Sequence, residues 1–184
     1  MKNTLIAFLI LLLCPTASFA QKYLTRTGKI YFNATTKSSP EKIEGVNNEV
    51  ASILDIKTGD VIFQVPVKSF KFERELMQEH FNENYMESDK FPKAEFRGAI
   101  KNIGEINVTK DGTYDVKVAG KLTIHGVTNE VTVPGTIAVN GKTVKLKAKF
   151  AVILLDYKVK VPNLVADKVT KEAIITIESD LAQK

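Results

Sequence analysis

The 184-residue chain is poor in the residues that perform covalent chemistry, since it has one cysteine, two histidines and no tryptophan. Its cysteine, Cys14, lies in an apolar N-terminal stretch, so the remainder of the chain has no thiol nucleophile and cannot form a disulfide. A G-x-S-x-G motif and a phosphate-binding glycine loop are also missing from the sequence. These absences argue against nucleophilic and nucleotide chemistry, and they leave folding dependent on apolar burial and backbone pairing.

The N-terminal segment "MKNTLIAFLILLLCPTASFA" predicts a secretory signal peptide spanning residues 1–20. An apolar run from Leu5 to Leu13 follows Lys2, and the segment ends with Ser18 and Ala20 at A-x-A spacing. The run is well short of the roughly 20 residues that a membrane-spanning helix needs. The residue before Cys14 is leucine, which argues against a lipid anchor. We therefore expect cleavage after Ala20, one exported domain over residues 21–184, a periplasmic or secreted location and no stable membrane anchor.

The positive charge of the chain does not indicate a nucleic-acid partner. The formal net charge is +5, and removal of the signal peptide lowers it to about +4 because that peptide carries one lysine and no acid. The lysines are spread along predicted strands, and no aromatic stacking positions interleave with arginines. Solvated strand faces explain the basic character better than a nucleic-acid interface does.

Alternation of apolar and polar residues with a period of two is the dominant pattern after Tyr23. It occurs in "VIFQVPVKSF", in "YDVKVAGKLTI" and in "TVKLKAKFAVIL", and turn signals such as Asn140-Gly141 separate the runs. Strands with one apolar and one charged face are typical of antiparallel sheets with one solvated side. The pattern predicts an all-β fold of about eight antiparallel strands, the last within "EAIITIESDL".

Eight such strands can close into a barrel, which removes unpaired edges and encloses space for side chains or one small ligand. Several positions on the predicted inner face carry small residues, which leave space along the barrel axis unless nearby phenylalanines fill it. The pattern leaves an open and a filled barrel as alternatives. The residues expected to face the bore are Val65, Phe96, Gly98, Gly120, Leu122, Ala148 and Phe150.

The segment "SFKFERELMQEHFNENYMESDKFPKAEF" breaks the alternation and predicts an inserted amphipathic helix over about 73–86. Leu76, His80 and Phe81 recur at i, i+4 and i+5 on its apolar side. A helix inserted between barrel strands can cover one open end as a mouth, with Met77 and Phe81 contacting a ligand, or it can plug that end as core. Both interpretations remain open at this stage.

His125, in "GKLTIHGVTNEVTV", is the histidine that first suggests a catalytic or metal-binding site. It comes directly before Gly126, where a strand is expected to enter a hairpin, and we expect it to hydrogen-bond local backbone. A metal site needs about three protein ligands, yet the other histidine, His80, is distant in sequence and no H-x-x-x-H or H-x-H spacing occurs. We therefore predict no catalytic residues, no bound metal and no cofactor.

Three segments together resemble the YceI-like family of polyisoprenoid-binding, or lipid-binding, domains. They are "HFNENYMESDKFPKAEF", "GKLTIHGVTNEVTV" and "FAVILLDYKVKVPNLVADKVTKEAIITI", and the resemblance covers nearly all of residues 21–184. It implies an eight-stranded, lipocalin-like antiparallel barrel with one helix, which binds a long isoprenoid lipid inside. In "LLDYKVKVP" the chain departs from the family pattern, because Asp156 and Tyr157 align with a family run whose arginine and glycine are missing here.

An apolar bore is suited to an apolar chain, since each buried methylene contributes about 0.8 kcal/mol and one isoprene unit on the order of 3 kcal/mol. Several units outweigh an association cost of about 4–15 kcal/mol. The leading hypothesis is an exported, non-enzymatic protein that holds a long apolar, polyisoprenoid-like lipid for transport or storage. The alternatives are a filled barrel that acts as a structural or protein-interaction module, and a metal-dependent hydrolase that uses His80 and His125.

Overall fold

The computed structural model describes residues 22–162 and 167–184, so the predicted signal peptide lies outside the described residues. Within these ranges the chain forms nine strands and one short α-helix. No helix in the described ranges has the length and apolar character needed to cross a membrane. The strands are β1 (Lys22–Thr35), β2 (Glu44–Asp55), β3 (Asp60–Pro66), β4 (Lys71–Phe72), β5 (Lys93–Ile100), β6 (Gly112–Ile124), β7 (Val127–Asn140), β8 (Thr143–Ile153) and β9 (Val169–Gln183), and the helix α1 (Glu75–His80) lies between β4 and β5.

Eight long strands form a closed antiparallel barrel in the order β1-β9-β8-β7-β6-β5-β3-β2. The barrel closes because β1 pairs with β9 on one side and with β2 on the other. The two-residue strand β4 adds to β2 outside this ring. The prediction of an eight-stranded antiparallel barrel with one inserted helix is confirmed, and closure pairs the edges that an open sheet would leave free.

The period-two alternation of the sequence becomes the inner and outer faces of the barrel wall. In β3, Val61, Phe63 and Val65 are buried while the residues between them are partly exposed. The long pair β6 and β7 stays in register from Gly112 opposite Val139 to Ile124 opposite Val127. An uninterrupted register preserves the inward orientation of every second side chain, so the apolar positions of both strands face the barrel interior.

The inserted helix is shorter than expected, and it buries different residues. After α1 the chain continues as a π-helical turn over Phe81–Tyr85, in which the Met86 amide donates to the Phe81 carbonyl at 2.9 Å. No residue of α1 is buried, so the expectation that Leu76 and His80 belong to a packed apolar stripe was wrong. Phe81 and Met86 are the buried residues, because an i→i+5 turn brings residues five apart to the same side.

The two ends of the barrel differ. We call the end where β1, β3, β6 and β8 finish the helix end, because α1 lies there, and the opposite end the closed end. At the closed end Leu54, Val144 and Leu181 are at most 1% exposed, and Val144 pairs directly with Leu181. Ile103, from a 3₁₀ turn after β5, packs against this core. The closed end is therefore filled by side chains, and space inside the barrel remains toward the helix end.

Candidate functional site

A cavity of about 150 Å³ lies inside the barrel, and we call it the inner chamber. Its wall comes from the inward side chains of the long strands, and its cover comes from the segments that follow α1 and β8. The side chains that face it are almost all aliphatic or aromatic. They include Ile30, Phe32, Val61, Phe63, Val65, Phe70, Phe81, Met86, Phe96, Val116, Leu122, Ile137, Leu146, Ala148, Phe150, Val152, Leu154, Tyr157 and Ile175.

A second cavity of about 240 Å³, the outer chamber, lies at the helix end between α1, the loop after β1 and the start of β9. Its wall combines apolar side chains with a polar rim, which includes an ion pair between Arg74 Nη1 and Glu41 Oε1 at 2.6 Å. His80 and Lys168 also belong to this rim. The two chambers adjoin each other, and the residues that line both of them are Phe32, Phe81, Met86, Leu154 and Val159.

The residues that the sequence pattern assigned to ligand binding lie in three places. Met77 lines the outer chamber and not the inner one. Gly98 and Gly120 lie opposite each other in the pairing of β5 with β6 and line neither chamber. The remaining six line the inner chamber: Val65, Phe81, Phe96, Leu122, Ala148 and Phe150.

The two glycines bring strands together, whereas the sequence pattern suggested that they leave space in the bore. A Cβ atom on Gly98 would lie 2.8 Å from the Gly120 Cα and 2.6 Å from Phe96 Cζ. A Cβ atom on Gly120 would collide with the Arg97 carbonyl oxygen. The Gly98–Gly120 pair therefore lets β5 and β6 approach closely while the Phe96 ring lies against Gly98. The glycines shape the wall without contributing volume to the chamber.

Several residues that cover the inner chamber were not among the predicted lining. Met86 directly follows the π turn, while Leu154 and Tyr157 come from a 3₁₀ turn over Leu154–Tyr157 that follows β8. Val159 follows in the same stretch and lines both chambers. A signal for them was present, because apolar residues continue at alternate positions in "YKVKV", beyond the end of the strand pattern.

His125 connects segments that are distant in sequence, so the expectation that it bonds local backbone was wrong. It forms a two-residue hairpin turn with Gly126, and both residues have positive φ, at 49° and 73°. The imidazole Nε2 lies 2.7 Å from the Glu87 carboxylate, and Nδ1 lies 3.2 Å from the Tyr157 carbonyl oxygen. The ring also packs edge-on against Phe91, with centroids 4.7 Å apart.

These contacts explain why the three characteristic segments of the sequence occur together. A Cβ atom on Gly126 would overlap the Phe91 ring, so the hairpin requires glycine where the segment after the helix packs. In the same region the side-chain amide of Asn129 donates a hydrogen bond to the backbone carbonyl oxygen of Asp156 at 2.9 Å. The β6–β7 hairpin therefore holds the turn after the helix and the turn after β8, and both of these turns cover the inner chamber.

Two tyrosine phenols at the helix end lie where burial disfavours their charged form. Burial raises the pKa of the Tyr157 phenol, and burial likewise raises the pKa of Tyr85. Across residues 22–162 and 167–184, no three His, Cys, Asp or Glu side chains are grouped so that they could hold a metal ion. His80 lies on the rim of the outer chamber and His125 is paired with Glu87. The inner chamber is therefore a predominantly apolar cavity.

A closed antiparallel barrel with an apolar chamber under a short helix belongs to the class of lipocalin-like barrels, which are large enough to hold one small ligand. Within that class, the family model of the YceI-like domain matches residues 16–180. The chain therefore belongs to the YceI-like family. No curated protein matches its sequence significantly.

Solved structures with the same fold are distant in sequence. A polyisoprenoid binding domain from Saccharophagus degradans, implicated in plant cell wall breakdown, is 10% identical with a TM-score of 0.76, and the match covers 90% of this chain and 99% of that one. BcnA from Burkholderia cenocepacia is 20% identical with a TM-score of 0.65, covering 84% and 96%. The YCEI protein of Campylobacter jejuni is 14% identical with a TM-score of 0.60, covering 81% and 89%. At these identities the likeness concerns the fold.

Proposed function

We propose that this protein is an exported binding protein that holds a polyisoprenoid-like lipid in its barrel for transport or storage. The observation that carries the proposal is the inner chamber, a space of about 150 Å³ inside the barrel with an almost entirely apolar wall. A cavity of this size and character excludes water and accepts small hydrocarbons. Membership of the YceI-like family and the fold shared with a polyisoprenoid binding domain point in the same direction.

The volumes suggest how a long chain is held. A cavity of about 150 Å³ accommodates a group about the size of benzene, which corresponds to roughly one isoprene unit. The outer chamber offers about 240 Å³ more and adjoins the inner one. A longer prenyl chain therefore places its tip in the inner chamber and extends through the outer chamber toward the helix end. Selection depends on the width and length of the apolar space, with no charged contact required in the barrel.

The proposed ligand contacts follow from this arrangement. Val65, Leu122 and Ala148 on the wall, with the rings of Phe96 and Phe150, contact the tip of the chain. Phe81 contacts the chain where it passes between the chambers, and Met77 contacts it in the outer chamber. Gly98 and Gly120 act indirectly by fixing the distance between β5 and β6. The role is binding, and it needs no catalytic residue, metal or cofactor.

Organic extraction and native mass spectrometry of the purified protein test this function directly. We expect a co-purifying apolar lipid, or uptake of added farnesol and geranylgeraniol with affinity that rises with chain length. In Ala148→Leu, added side-chain volume occupies the inner chamber, and we expect at least tenfold weaker prenyl binding. Ala151→Leu is the matched control, because Ala151 is exposed on the same strand. Absence of lipid together with no prenyl binding, or equal binding by both variants, would contradict the proposal.

Export is proposed from the N-terminal pattern of residues 1–20. Cell fractionation of the full chain tests it, together with N-terminal sequencing of the recovered protein. We expect a mature protein that begins at Gln21 outside the cytoplasm, and retention in the cytoplasm when residues 2–20 are deleted. A full-length N-terminus on the recovered protein would contradict it.

A further inference from the structure

We propose that Phe81 is a gate between the two chambers, and that its ring has to turn aside before an apolar chain reaches the inner chamber. The inference rests on the proposed function only for the identity of the ligand, because the gate follows from the geometry of the chambers. It makes Phe81 a residue that controls the rate of loading and release and the width of chain that is admitted. The neighbouring lining residues set only how well the chain fits.

The route to the inner chamber runs through the helix end. At the closed end Leu54, Val144 and Leu181 are buried, and none of them lines the inner chamber. They are core residues that separate the cavity from that end of the barrel. At the helix end, by contrast, the inner chamber shares five lining residues with the outer chamber. A ligand that enters through the outer chamber therefore passes these shared residues on its way to the inner chamber.

Phe81 lies at the centre of the boundary. Its ring centroid is 5.6 Å from Phe32, which also lines both chambers. It is 5.4 Å from Phe70, which lines the inner chamber alone, and 4.9 Å from Phe72, which lines the outer chamber alone. One ring therefore contacts aromatic residues on both sides of the boundary, and displacement of that ring joins the two spaces.

The backbone that carries Phe81 is suited to movement. Phe81 begins the π-helical turn that follows α1, and single π turns occur frequently at functional sites. None of the residues of α1 is buried, and Leu76 is 52% exposed. Within residues 75–86 only Phe81 and Met86 are buried. A segment with so few buried contacts opens at a lower free-energy cost than the strands around it.

The chemistry of the two chambers gives the direction of passage. The inner chamber has an almost entirely apolar wall, whereas Glu41, Arg74, His80 and Lys168 surround the outer one. Transfer of a polar or charged group into the inner chamber is opposed by desolvation. An apolar tail therefore passes Phe81 first, and the polar end of the lipid stays in the outer chamber.

Stopped-flow fluorescence with N-phenyl-1-naphthylamine, an apolar fluorophore whose phenyl ring has the size that the inner chamber accommodates, tests the gate without assuming the natural ligand. We expect Phe81→Ala to raise the association and dissociation rates at least tenfold, and Phe81→Trp to lower them. Phe150→Ala is the matched control, since Phe150 lines the inner chamber away from the boundary. That variant should change the dissociation constant while the association rate stays within twofold of the wild type. Circular dichroism of each variant checks folding, and Phe81→Leu provides a smaller change if Phe81→Ala does not fold.

An association rate in Phe81→Leu or Phe81→Ala that stays within twofold of the wild type would overturn the gate, as would a fluorophore that binds neither wild type nor variants. Binding to Phe81→Ala but not to the wild type would support a gate that is closed in the free protein. Displacement of the fluorophore by farnesol tests the proposed function separately. Failure of displacement contradicts prenyl binding, while the fluorophore rates still decide the role of Phe81.

Discussion

The imidazole of His125 and the carboxylate of Glu87 lie 2.7 Å apart, and both residues have positive φ, at 49° and 42°. Non-glycine residues adopt this backbone conformation infrequently, and it persists where surrounding contacts stabilise it. The pair joins the β6–β7 hairpin to the turn that follows the helical segment, and the His125 side chain is only 10% exposed. A histidine that suggested catalysis in the sequence thus holds the cover of the inner chamber in place.

Substitution of His125 by alanine removes its contacts with Glu87 and Tyr157 and leaves alanine at positive φ. We expect the free energy of unfolding to fall by about 2–4 kcal/mol. Urea denaturation measures the change. Asp89→Ala is the control, since it removes an exposed ion pair with Lys68, and we expect a change within about 0.5 kcal/mol. Equal losses in the two variants would show that His125 does not hold the cover.

Substitution of Gly120 by alanine places a Cβ atom against the Arg97 carbonyl and Gly98. Since backbone atoms on the paired strand cannot rotate away, we expect a loss of about 1–3 kcal/mol in the free energy of unfolding. Gly104→Ala is the matched control, because no atom lies within 4 Å of its Cβ position, and we expect it to be neutral or slightly stabilising. Thermal and urea melts compare the two. A neutral Gly120→Ala would mean that β5 and β6 are less closely spaced than the structure indicates.

Period two in the sequence predicted the antiparallel strands and their inward faces, while closure into an eight-stranded barrel was implied by the strand count together with the family resemblance. One buried face on each strand fixes both the register and the side that faces inward, as Val61, Phe63 and Val65 show. The same alternation assigned Phe96, Leu122 and Phe150 to the inner face, where the structure places them on the wall of the inner chamber. Successive side chains of a strand point to opposite faces of the sheet, so the position of a residue in the alternation predicts the face on which it lies.

The helical segment and the glycines could not be predicted in the same way. The pattern at Leu76 and His80 assumed an α-helical period, whereas the π turn changes the residue spacing and buries Phe81 with Met86. At Gly98 and Gly120 the sequence shows only that a side chain is lacking. The close approach of β5 to β6 depends on how these strands pair in three dimensions. The partners of His125, at positions 87 and 157, depend on tertiary structure too.

The Tyr157 phenol should make the free energy of unfolding depend on pH in the alkaline range. Burial raises the pKa of its phenol above the ordinary value of about 10, so the folded state favours the protonated form more than the unfolded state does. Its contribution is fully present below about pH 10 and is lost as pH rises through the higher folded-state pKa. We expect Tyr157→Phe to lose less stability than the wild type between pH 9 and pH 11, by urea denaturation, with Tyr31→Phe, at an exposed site, as control. Parallel pH profiles for wild type and Tyr157→Phe would contradict this.

Substitution of Met77 and of Phe81 by aspartate distinguishes two interpretations of the helical segment, namely a mouth that contacts the ligand and a plug that belongs to the core. Met77 is half-buried and lines only the outer chamber, so we expect Met77→Asp to lower stability by about 1 kcal/mol or less. A charge in the outer chamber opposes passage of an apolar chain, so the rise in Tm produced by prenyl lipid in the wild type should be mostly lost. Met77→Leu is the conservative control and should retain that rise.

Phe81 is buried among Phe32, Phe70 and Phe72, and Phe81→Asp places an unpaired charge in this cluster. We expect a loss of several kcal/mol in the free energy of unfolding, with or without lipid. Thermal melts with and without geranylgeraniol measure both effects. If both variants lose the same amount of stability, and if that loss is the same with and without lipid, the whole helical segment is a plug. Loss of the lipid response by a Met77→Asp protein that melts close to the wild-type Tm assigns α1 to the mouth. Phe81→Asp should lose the lipid response together with its stability, because Phe81 lies at the boundary that the chain passes.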